Sequence, residues 1–246
     1  MHSPSELPRP PGDSRQSCAL WLLPTFVFLL LGFAALPVDQ SLAGWIAANN
    51  LPGGVVDVLE RAETFAHGIG VVFILLTIFI IDRSRRWTFP RLILAVAGSG
   101  LAANLIKLIL IARTRPHAAD LGDHFSETFG NWLPLLSESA QQSTPSSHTA
   151  TGVAFAIALC WLFPRGRWIF AVLAILAACQ RMASSSHYLS DVLWGAALGY
   201  FLGRGIISGF LTEKYFNRLE ERLRPAEPHP SDVARSTDPA EVSSAP

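Results

Sequence analysis

Residues 92–112, LILAVAGSGLAANLIKLILIA, form an apolar stretch with one charged residue, Lys107. A stretch of about 20 apolar residues is long enough to cross the hydrocarbon core of a bilayer as a single helix. A charge inside such a stretch is costly in lipid, and it is usually functional or reaches a headgroup at the interface. The stretch therefore predicts a membrane helix, with Lys107 serving either chemistry or anchoring.

Apolar stretches of similar length recur along the 246-residue chain. Besides residues 92–112, the expected spans are 19–36, 65–81, 148–163, 168–179 and 191–207. We expect residues 37–64 to form an amphipathic or irregular outer segment, with a turn between Asn49 and Gly54. The predicted fold is therefore an all-α integral membrane bundle of about six transmembrane helices.

The segments outside the spans differ in composition. Residues 1–18 and 225–246 are rich in proline, serine and charged residues, which predicts disorder. Residues 210–224 carry apolar residues at every fourth position, as in a helix lying on the membrane surface. The membrane domain would thus comprise residues 19–209. Residues 19–36 also resemble the apolar part of a signal peptide, but they are longer than such a part usually is.

Charge places the loops on two sides of the membrane. Lys+Arg and Asp+Glu number 19 each, and no basic cluster large enough to bind nucleic acid is present. With about six spans, the basic segments all fall on one side. These segments are 9–15, 83–86, 165–167 and 214–224. The positive-inside rule predicts that this side, with both chain termini, is cytoplasmic.

Two polar clusters on the opposite side are ambiguous when each is considered alone. In the first, residues 107–116, two arginines follow Lys107, and Pro116 ends the helix. The second, residues 143–149, reads STPSSHT at the start of a span, where free backbone N–H groups can bind an anion beside His148. Anchoring to headgroups explains the first cluster equally well, and helix capping by Ser146 explains the second.

A third cluster, residues 181–191, reads RMASSSHYLSD. His187 and Asp191 are four positions apart, so one helical turn would bring the carboxylate to the imidazole ring. A carboxylate on one ring nitrogen fixes the tautomer and leaves the other nitrogen free to attack. A structural His–Asp contact at a helix start is the alternative for this pair.

Together the clusters supply what phosphoryl transfer requires. Cations and N–H groups neutralise the phosphate oxygens, a nucleophile attacks phosphorus, and an acid protonates the leaving group. No cage of carboxylates is needed, so we expect no metal ion or other cofactor. A metal site is an alternative function of the outer loop, through His117, Asp120, Asp123 and His124. A transporter is another, although it would place ionisable groups near the bilayer midplane.

The three clusters resemble the three signatures of the type 2 phosphatidic acid phosphatase family, whose fold is shared with vanadium haloperoxidases. The family pattern is a lysine, six residues and Arg-Pro, then Pro-Ser-Gly-His, then Ser-Arg, five residues, His, three residues and Asp. The third signature matches in the spacing of Arg181, His187 and Asp191. The resemblance covers roughly residues 65–205 and implies a membrane lipid phosphatase.

The resemblance also implies a role for each residue. His187 would be the nucleophile that forms a phosphohistidine, oriented by Asp191, and His148 would protonate the leaving oxygen. The groups expected to bind phosphate are Lys107, Arg115, Arg181, Ser146 and Ser147. The protein would lie in a bacterial plasma (inner) membrane, with the site on its periplasmic or extracellular side.

Three positions depart from the family pattern. Seven residues separate Lys107 from Arg115 instead of six, and one extra residue turns a helix by about 100°. A π-bulge could absorb that residue, or Arg113 could replace one phosphate contact. Ser147 stands where the family has glycine, and Gln180 where it has the serine before the arginine.

The sequence therefore predicts metal-independent hydrolysis of a phosphomonoester or diphosphate on a membrane lipid. Candidate substrates are phosphatidate, phosphatidylglycerol phosphate, undecaprenyl diphosphate and a lipid A phosphate. We expect the lipid tail to enter laterally between helices, and residues 113–146 to set specificity. A lipid phosphotransferase or a catalytically impaired relative would carry the same residues, and the sequence predicts no oligomeric state.

Overall fold

The computed structural model describes residues 18–121, 124–133 and 142–223. Within them the chain folds into eight α-helices and one two-stranded ribbon. The helices are α1 (Cys18–Ala47), α2 (Gly53–Glu63), α3 (Gly68–Ile81), α4 (Phe89–Ile109), α5 (Ser147–Leu162), α6 (Arg167–Ala183), α7 (Leu189–Ile207) and α8 (Glu213–Leu223). The ribbon pairs β1 (Ile111–Arg113) with β2 (Phe129–Trp132) in antiparallel orientation. The predicted all-α fold is confirmed, with this ribbon as an addition.

Several helices have the length and composition of membrane spans. Three segments of the described chain qualify singly: Leu22–Ala47, Arg83–Ile109 and Pro164–Ala183. Helices α2 and α3 qualify as a pair bent by 58°, and α5 is apolar but shorter. The chain is thus a multi-pass helical membrane protein. The count of six spans and the cytoplasmic termini stay predictions, and the predicted disordered ends lie outside the described residues apart from Cys18.

Helix α1 is longer than predicted. The sequence suggests an irregular segment from residue 37, but α1 continues through Pro37 to Ala47. A proline inside a helix removes one N–H donor and bends the chain without necessarily ending the helix. Asp39, just after the proline, is buried and paired with Arg113, which holds the last turns of α1 against the bundle. The predicted turn between Asn49 and Gly54 is confirmed, and the amphipathic α2 follows it.

Helix α4 has the predicted length of 21 residues, but it lies three residues nearer the N-terminus. It ends at Ile109, three residues before the expected end, because the chain then turns into the ribbon. The backbone N–H of Arg113 donates to the side chain of Gln142 at 2.6 Å, and that of Thr114 donates to the carbonyl of Thr128 at 2.9 Å. These partners replace the helical hydrogen bonds that the segment would otherwise form.

Helix α5 lies at the centre and packs against α4, α6 and α7. Phe155 and Leu159 on α5 belong to the buried core together with Leu92 of α4. Helix α7 approaches α5 closely because it presents glycine every fourth residue, at Gly195, Gly199 and Gly203. A Cβ atom at Gly199 would lie 2.3 Å from the carbonyl oxygen of Ala150, so only glycine permits this packing.

Basic and polar segments are gathered at opposite ends of the bundle. At one end Arg85 donates to the carbonyl of Leu162, and Arg91 binds Glu220 of α8 through two hydrogen bonds of 2.6 and 2.9 Å. The three polar clusters come together at the other end. This division agrees with the separation of basic and polar loops that the sequence predicts.

Candidate active site

The three polar clusters meet at the N-terminus of α5. The Nζ atom of Lys107, in the last turn of α4, donates to the hydroxyl of Ser147 at 3.4 Å. The backbone N–H of Ser146 donates to the carbonyl of Asp191 at 3.0 Å. The second cluster is therefore joined directly to the first and to the third.

Arg113 has a different position from the one considered from the sequence. Its side chain is fully buried, and every guanidinium nitrogen donates a hydrogen bond. Nε binds Thr128 at 3.0 Å, Nη1 binds Ser190 and Asp191 at 2.7 and 2.8 Å, and Nη2 binds Asp39 at 2.8 Å. Arg113 is thus a structural link between two carboxylates and does not replace a phosphate contact.

Aromatic rings enclose the same guanidinium. Its central carbon lies 4.5 Å from the ring centre of Phe129 and 4.1 Å from that of Tyr188. A guanidinium placed over an aromatic face is attracted by the electron density of the ring. The rings exclude water from the ion pairs, and burial raises the pKa of Tyr188 to about 12. Tyr188 is therefore neutral and packs as an uncharged ring.

Asp191 is held by several donors. It accepts the hydroxyl hydrogens of Ser143 and Thr144 and the backbone N–H of Tyr188 at 2.8 Å, besides the bond from Arg113. A carboxylate that accepts this many hydrogen bonds is fixed in direction. These donors hold the carboxylate of Asp191 in place without any contribution from His187. Asp191 is therefore a structural residue of the fold as well as a neighbour of His187.

His187 faces Asp191 without a hydrogen bond to it. Its Nδ1 lies 3.9 Å from Oδ2 of Asp191, beyond hydrogen-bond distance, and has no other partner among the described residues. The ring is only 2% exposed. The two side chains therefore approach each other as predicted, but no hydrogen bond joins them.

The surroundings of His187 keep its ring neutral. Burial lowers the pKa of His187 well below its ordinary value of 6.5, and the cations Lys107, Arg181 and Arg115 lower it further. The backbone helps to place the ring, because the N–H of His187 donates to the carbonyl of Arg181 at 3.1 Å. A neutral imidazole has a free ring nitrogen, which a nucleophile requires.

The extra residue between Lys107 and Arg115 has a simple structural explanation. Helix α4 ends two residues after Lys107, so the insertion falls in non-helical backbone and causes no 100° rotation of the helix. No π-bulge is needed. Lys107 and Arg115 are both close enough to His187 to depress its pKa, and burial lowers the pKa of Arg115 itself.

Ser146 and Ser147 have different environments. The hydroxyl of Ser146 accepts the N–H of Thr149 at 3.4 Å and the hydroxyl hydrogen of Thr149 at 3.0 Å, as expected of a helix N-cap. Its backbone N–H is bound to Asp191, so Ser146 uses its polar groups within the fold. Ser147 lies in the first turn of α5, where backbone N–H groups lack helical partners, and it presents its hydroxyl to Lys107.

Two residues that the sequence patterns did not include lie beside His148. The Oε1 atom of Glu63, at the end of α2, accepts a hydrogen bond of 2.6 Å from Arg181 and lies 3.9 Å from Nε2 of His148. The ring centre of His67, the N-cap of α3, lies 5.7 Å from that of His148. Glu63 and His67 are four positions apart at the turn between two helices, and this spacing was the only local sign of their role.

Three of the buried nitrogen atoms that lack hydrogen-bond partners in the described part of the chain lie at this site. They are Nε of Arg115, Nε of Arg181 and Nδ1 of His187. Leaving one buried donor unpaired costs about 1–3 kcal/mol, so folded proteins rarely keep several together without a reason. Unpaired donors on two cations beside a neutral histidine are suited to an anion with several oxygens.

The described residues give no support to the alternative of a metal site. His117 uses Nδ1 to contact the carbonyl of Ser185 at 3.0 Å, and His124 uses Nδ1 to contact Ser126 at 2.9 Å. In the ranges 18–121, 124–133 and 142–223, no three His, Cys, Asp or Glu side chains form a group that could hold a metal ion. Of the other two members of the predicted set, Asp120 lies within these ranges and Asp123 lies outside them.

An apolar groove leads from the lipid-facing surface to this site. It has a volume of about 750 Å³ and runs between α3, α4 and α5. Val72, Leu76, Ile93 and Leu101 form part of its wall, and its polar end is formed by Ser147 and His148. Its dimensions and lining are those of a site for a hydrocarbon chain.

Comparison with known proteins relates the chain to a group of phosphatases. Residues 88–215 match the PAP2 superfamily. A lipid A 1-phosphatase of Rhizobium johnstonii is 40% identical over 115 residues, covering 46% of this chain and 44% of that protein. A lipid A 1-phosphatase of Rhizobium etli is 39% identical over 115 residues, covering 46% of each chain. The matched part thus spans just under half the length of these relatives.

A solved structure has the same fold. The crystal structure of a transmembrane PAP2 type phosphatidylglycerolphosphate phosphatase from Bacillus subtilis matches 79% of this chain and 96% of its own, with a TM-score of 0.52. The sequence identity is 19%, so the likeness concerns the arrangement of the helices.

Proposed function

The chain belongs to the PAP2 superfamily, and on that premise we propose that it is a metal-independent membrane lipid phosphatase that works through a phosphohistidine at His187. The observation that carries the proposal is the set of buried, unpartnered nitrogens on Arg115, Arg181 and His187. They surround the N-terminus of α5, where backbone N–H groups also lack helical partners. A phosphate group would accept from both guanidinium groups and from these N–H groups, and would lie beside the imidazole of His187.

In the first step Nε2 of His187 attacks phosphorus, because Nδ1 is the nitrogen that faces Asp191. A P–N bond forms as the P–O bond to the lipid breaks, and His148, which takes up a proton when the phosphate anion binds beside it, gives that proton to the departing lipid oxygen. The imidazole becomes positively charged as it bonds to phosphorus. Asp191, at 3.9 Å, stabilises that charge without taking the proton.

In the second step a water molecule attacks the phosphohistidine. His148, now neutral, takes a proton from the water as the new P–O bond forms and the P–N bond breaks. Inorganic phosphate leaves, and both histidines return to their starting states. One residue thus serves as acid and then as base, which the reversal of the two steps requires.

The phosphate oxygens are neutralised by protein groups. Lys107, Arg115 and Arg181 would supply the positive charge, and the N–H groups of Ser147 and His148, in the first turn of α5, would add hydrogen bonds. Fixed donors of this kind stabilise the negative charge that develops during phosphoryl transfer. Ser146 caps the N-terminus of α5 by accepting the N–H of Thr149, and so it supports the backbone that would bind phosphate.

The substrate we propose is a lipid A-type 1-phosphate. Two lipid A 1-phosphatases are identical to this chain at about two fifths of the positions in the matched segment. This similarity favours a lipid A phosphate over the other three candidate substrates. The groove ending at His148 would take one hydrocarbon chain sideways from the bilayer. The phosphate would then lie at the end of α5, on the face we assign to the periplasmic side of the inner membrane.

The test is phosphate release by the purified full-length protein in detergent with EDTA present. Lipid A, phosphatidate and undecaprenyl diphosphate would be compared for the wild type, His187→Ala and the control His124→Ala, whose ring contacts Ser126 and Phe125 of its own loop. We expect release to be fastest from lipid A, to survive EDTA, to vanish in His187→Ala and to be unchanged in His124→Ala. Loss of activity with EDTA would contradict the metal-free mechanism, and release by His187→Ala would contradict the nucleophile.

A further inference from the structure

A small polar pocket lies beside the candidate site, on its outer side. It has a volume of about 200 Å³ and is formed by α1, the segment after β1 and the segment before β2. Its polar lining consists of Gln40, Thr114, Asp120, Glu127 and Thr128. None of them is a residue that the phosphatase signatures specify, although Thr114 occupies a variable position of the first signature.

Gln40 is the unusual member of this pocket. It is only 6% exposed, yet both its amide nitrogen and its amide oxygen are buried without a hydrogen-bond partner among the described residues. The adjacent Asp39, by contrast, is bound by Arg113 and Ser190. An unpaired buried amide is costly, and the cost is offset when a ligand supplies the missing partners.

The chemistry of an amide selects the kind of ligand. The Nε2 group of Gln40 donates and Oε1 accepts, so a metal cation would satisfy only the oxygen and a phosphate only the nitrogen. A hydroxyl group both donates and accepts, and adjacent hydroxyl or amine groups satisfy both ends. The carboxylates of Asp120 and Glu127 accept from hydroxyl or ammonium groups and repel anions.

The pocket is also close to the candidate site. Thr114 is the chain neighbour of Arg115, and the hydroxyl of Thr128 accepts the Nε hydrogen of Arg113, the structural arginine that holds Asp191, at 3.0 Å. A ligand here would therefore adjoin the group whose phosphate is held by Arg115. We propose that this pocket binds the hydroxyl- and amide-bearing sugar ring of the lipid headgroup. The inference rests on the proposed function and adds the residues that would recognise the headgroup.

A binding measurement tests the proposal independently of turnover. The full-length His187→Ala protein in detergent would be titrated with lipid A and with phosphatidate, which has no sugar. The test variant adds Gln40→Leu, which has similar size and no polar group. Its matched control adds Thr25→Val, because Thr25 is also on α1, also buried and also without a partner for its hydroxyl in the described part of the chain.

We expect Gln40→Leu to weaken lipid A binding by about tenfold or more. In this variant the polar groups of the sugar would be buried without the amide that binds them, and such a loss is costly. Phosphatidate binding should be unchanged, and Thr25→Val should alter neither. The midpoint temperature of thermal unfolding should not be lowered, because the substitution removes an unpaired buried amide. Equal effects on both lipids, or no effect on lipid A, would overturn the proposal.

Two further outcomes separate the possible failures. If EDTA abolishes the effect of Gln40, the pocket holds a cation and the sugar proposal is wrong. If the wild-type protein releases phosphate from no lipid while Gln40→Leu still weakens lipid A binding, the pocket proposal stands and the proposed catalytic function fails. If the protein releases phosphate from lipid A and Gln40→Leu leaves the KM for lipid A unchanged, the proposed function stands and the pocket proposal fails.

Discussion

Arg113 and Asp191 form a salt bridge of 2.8 Å between two side chains that are fully shielded from solvent. The same guanidinium is paired with Asp39 at 2.8 Å, so one cation joins α1 to the start of α7. Asp191 in turn faces the candidate nucleophile at 3.9 Å. The direction of the candidate catalytic carboxylate thus depends on a helix that lies outside the family signatures.

Removing the central cation should destabilise the fold. Arg113→Met leaves Asp39 and Asp191 buried without their partner, which should cost about 3–5 kcal/mol of the free energy of unfolding. Unfolding by SDS in mixed micelles measures the change. Arg113→Lys should recover only part of the loss, because a single ammonium cannot bridge both carboxylates as a planar guanidinium does.

The exposed Arg83 is the control for this substitution. Arg83→Met should change the unfolding free energy by no more than about 0.5 kcal/mol. An Arg113→Met protein as stable as this control would show that the buried ion pairs contribute little.

The role of His148 can be separated from that of His187 by changing the leaving group. His148→Ala should lower kcat for a lipid phosphate by about 10²–10⁴, the usual contribution of a general acid. A p-nitrophenyl phosphate ester should be affected much less in its first step, because nitrophenolate leaves without a proton. His187→Ala should abolish turnover of both. Equal losses for the two substrates in His148→Ala would argue against proton donation by His148.

The pH dependence should report the environment of His187. Burial and three neighbouring cations lower its pKa, so the neutral nucleophile persists as the pH falls through 6.5 and is lost only below it. The acid limb of kcat/KM should therefore lie below pH 6.5. Because the folded-state pKa is lower than the unfolded-state value, the contribution of His187 to stability should also decrease as the pH falls below about 6.5.

Replacing a cation beside His187 should move the acid limb of the kcat/KM profile. Arg115→Gln removes one positive charge, so the pKa of His187 should rise and the acid limb should shift to higher pH. Arg115→Lys keeps the charge and should leave the limb near its wild-type position, although both variants lower kcat/KM. A limb that stays in place in Arg115→Gln would show that Arg115 does not affect the ionisation of His187.

Glu63 should compete with phosphate for Arg181. In the structure the carboxylate accepts a hydrogen bond of 2.6 Å from Arg181, in the place where a phosphate oxygen is expected. Glu63→Gln should therefore strengthen inhibition by vanadate or phosphate about two- to fivefold, since a partly exposed ion pair contributes up to about 1 kcal/mol. The measurement is the inhibition constant for each anion.

Glu60 is the matched control because it is exposed and lies one turn earlier on α2. Glu60→Gln changes the net charge equally and should leave both inhibition constants unchanged. Equal effects of the two substitutions would indicate a general change in surface charge and not competition at Arg181.

Several features of the site could be predicted because they depend on short distances along the chain. His187 and Asp191 are one helical turn apart, so their approach follows from the helix itself. Lys107 and Arg115 lie close in sequence, although the structural reason for their spacing differs from the one expected. Helix α4 ends at Ile109 because the following strand β1 pairs with β2, and no local sequence pattern predicts that pairing.

The sequence by itself determined the helical membrane fold, the separation of basic from polar loops and the three groups of candidate catalytic residues, because hydrophobic length and helical spacing are local properties. Only the tertiary structure decided which distant side chains complete the site. Asp39 contacts Ser190 across 151 positions, and Glu63 contacts Arg181 across 118. Such contacts depend on how the helices pack, and close packing at positions such as Gly199 decides which side chains face one another.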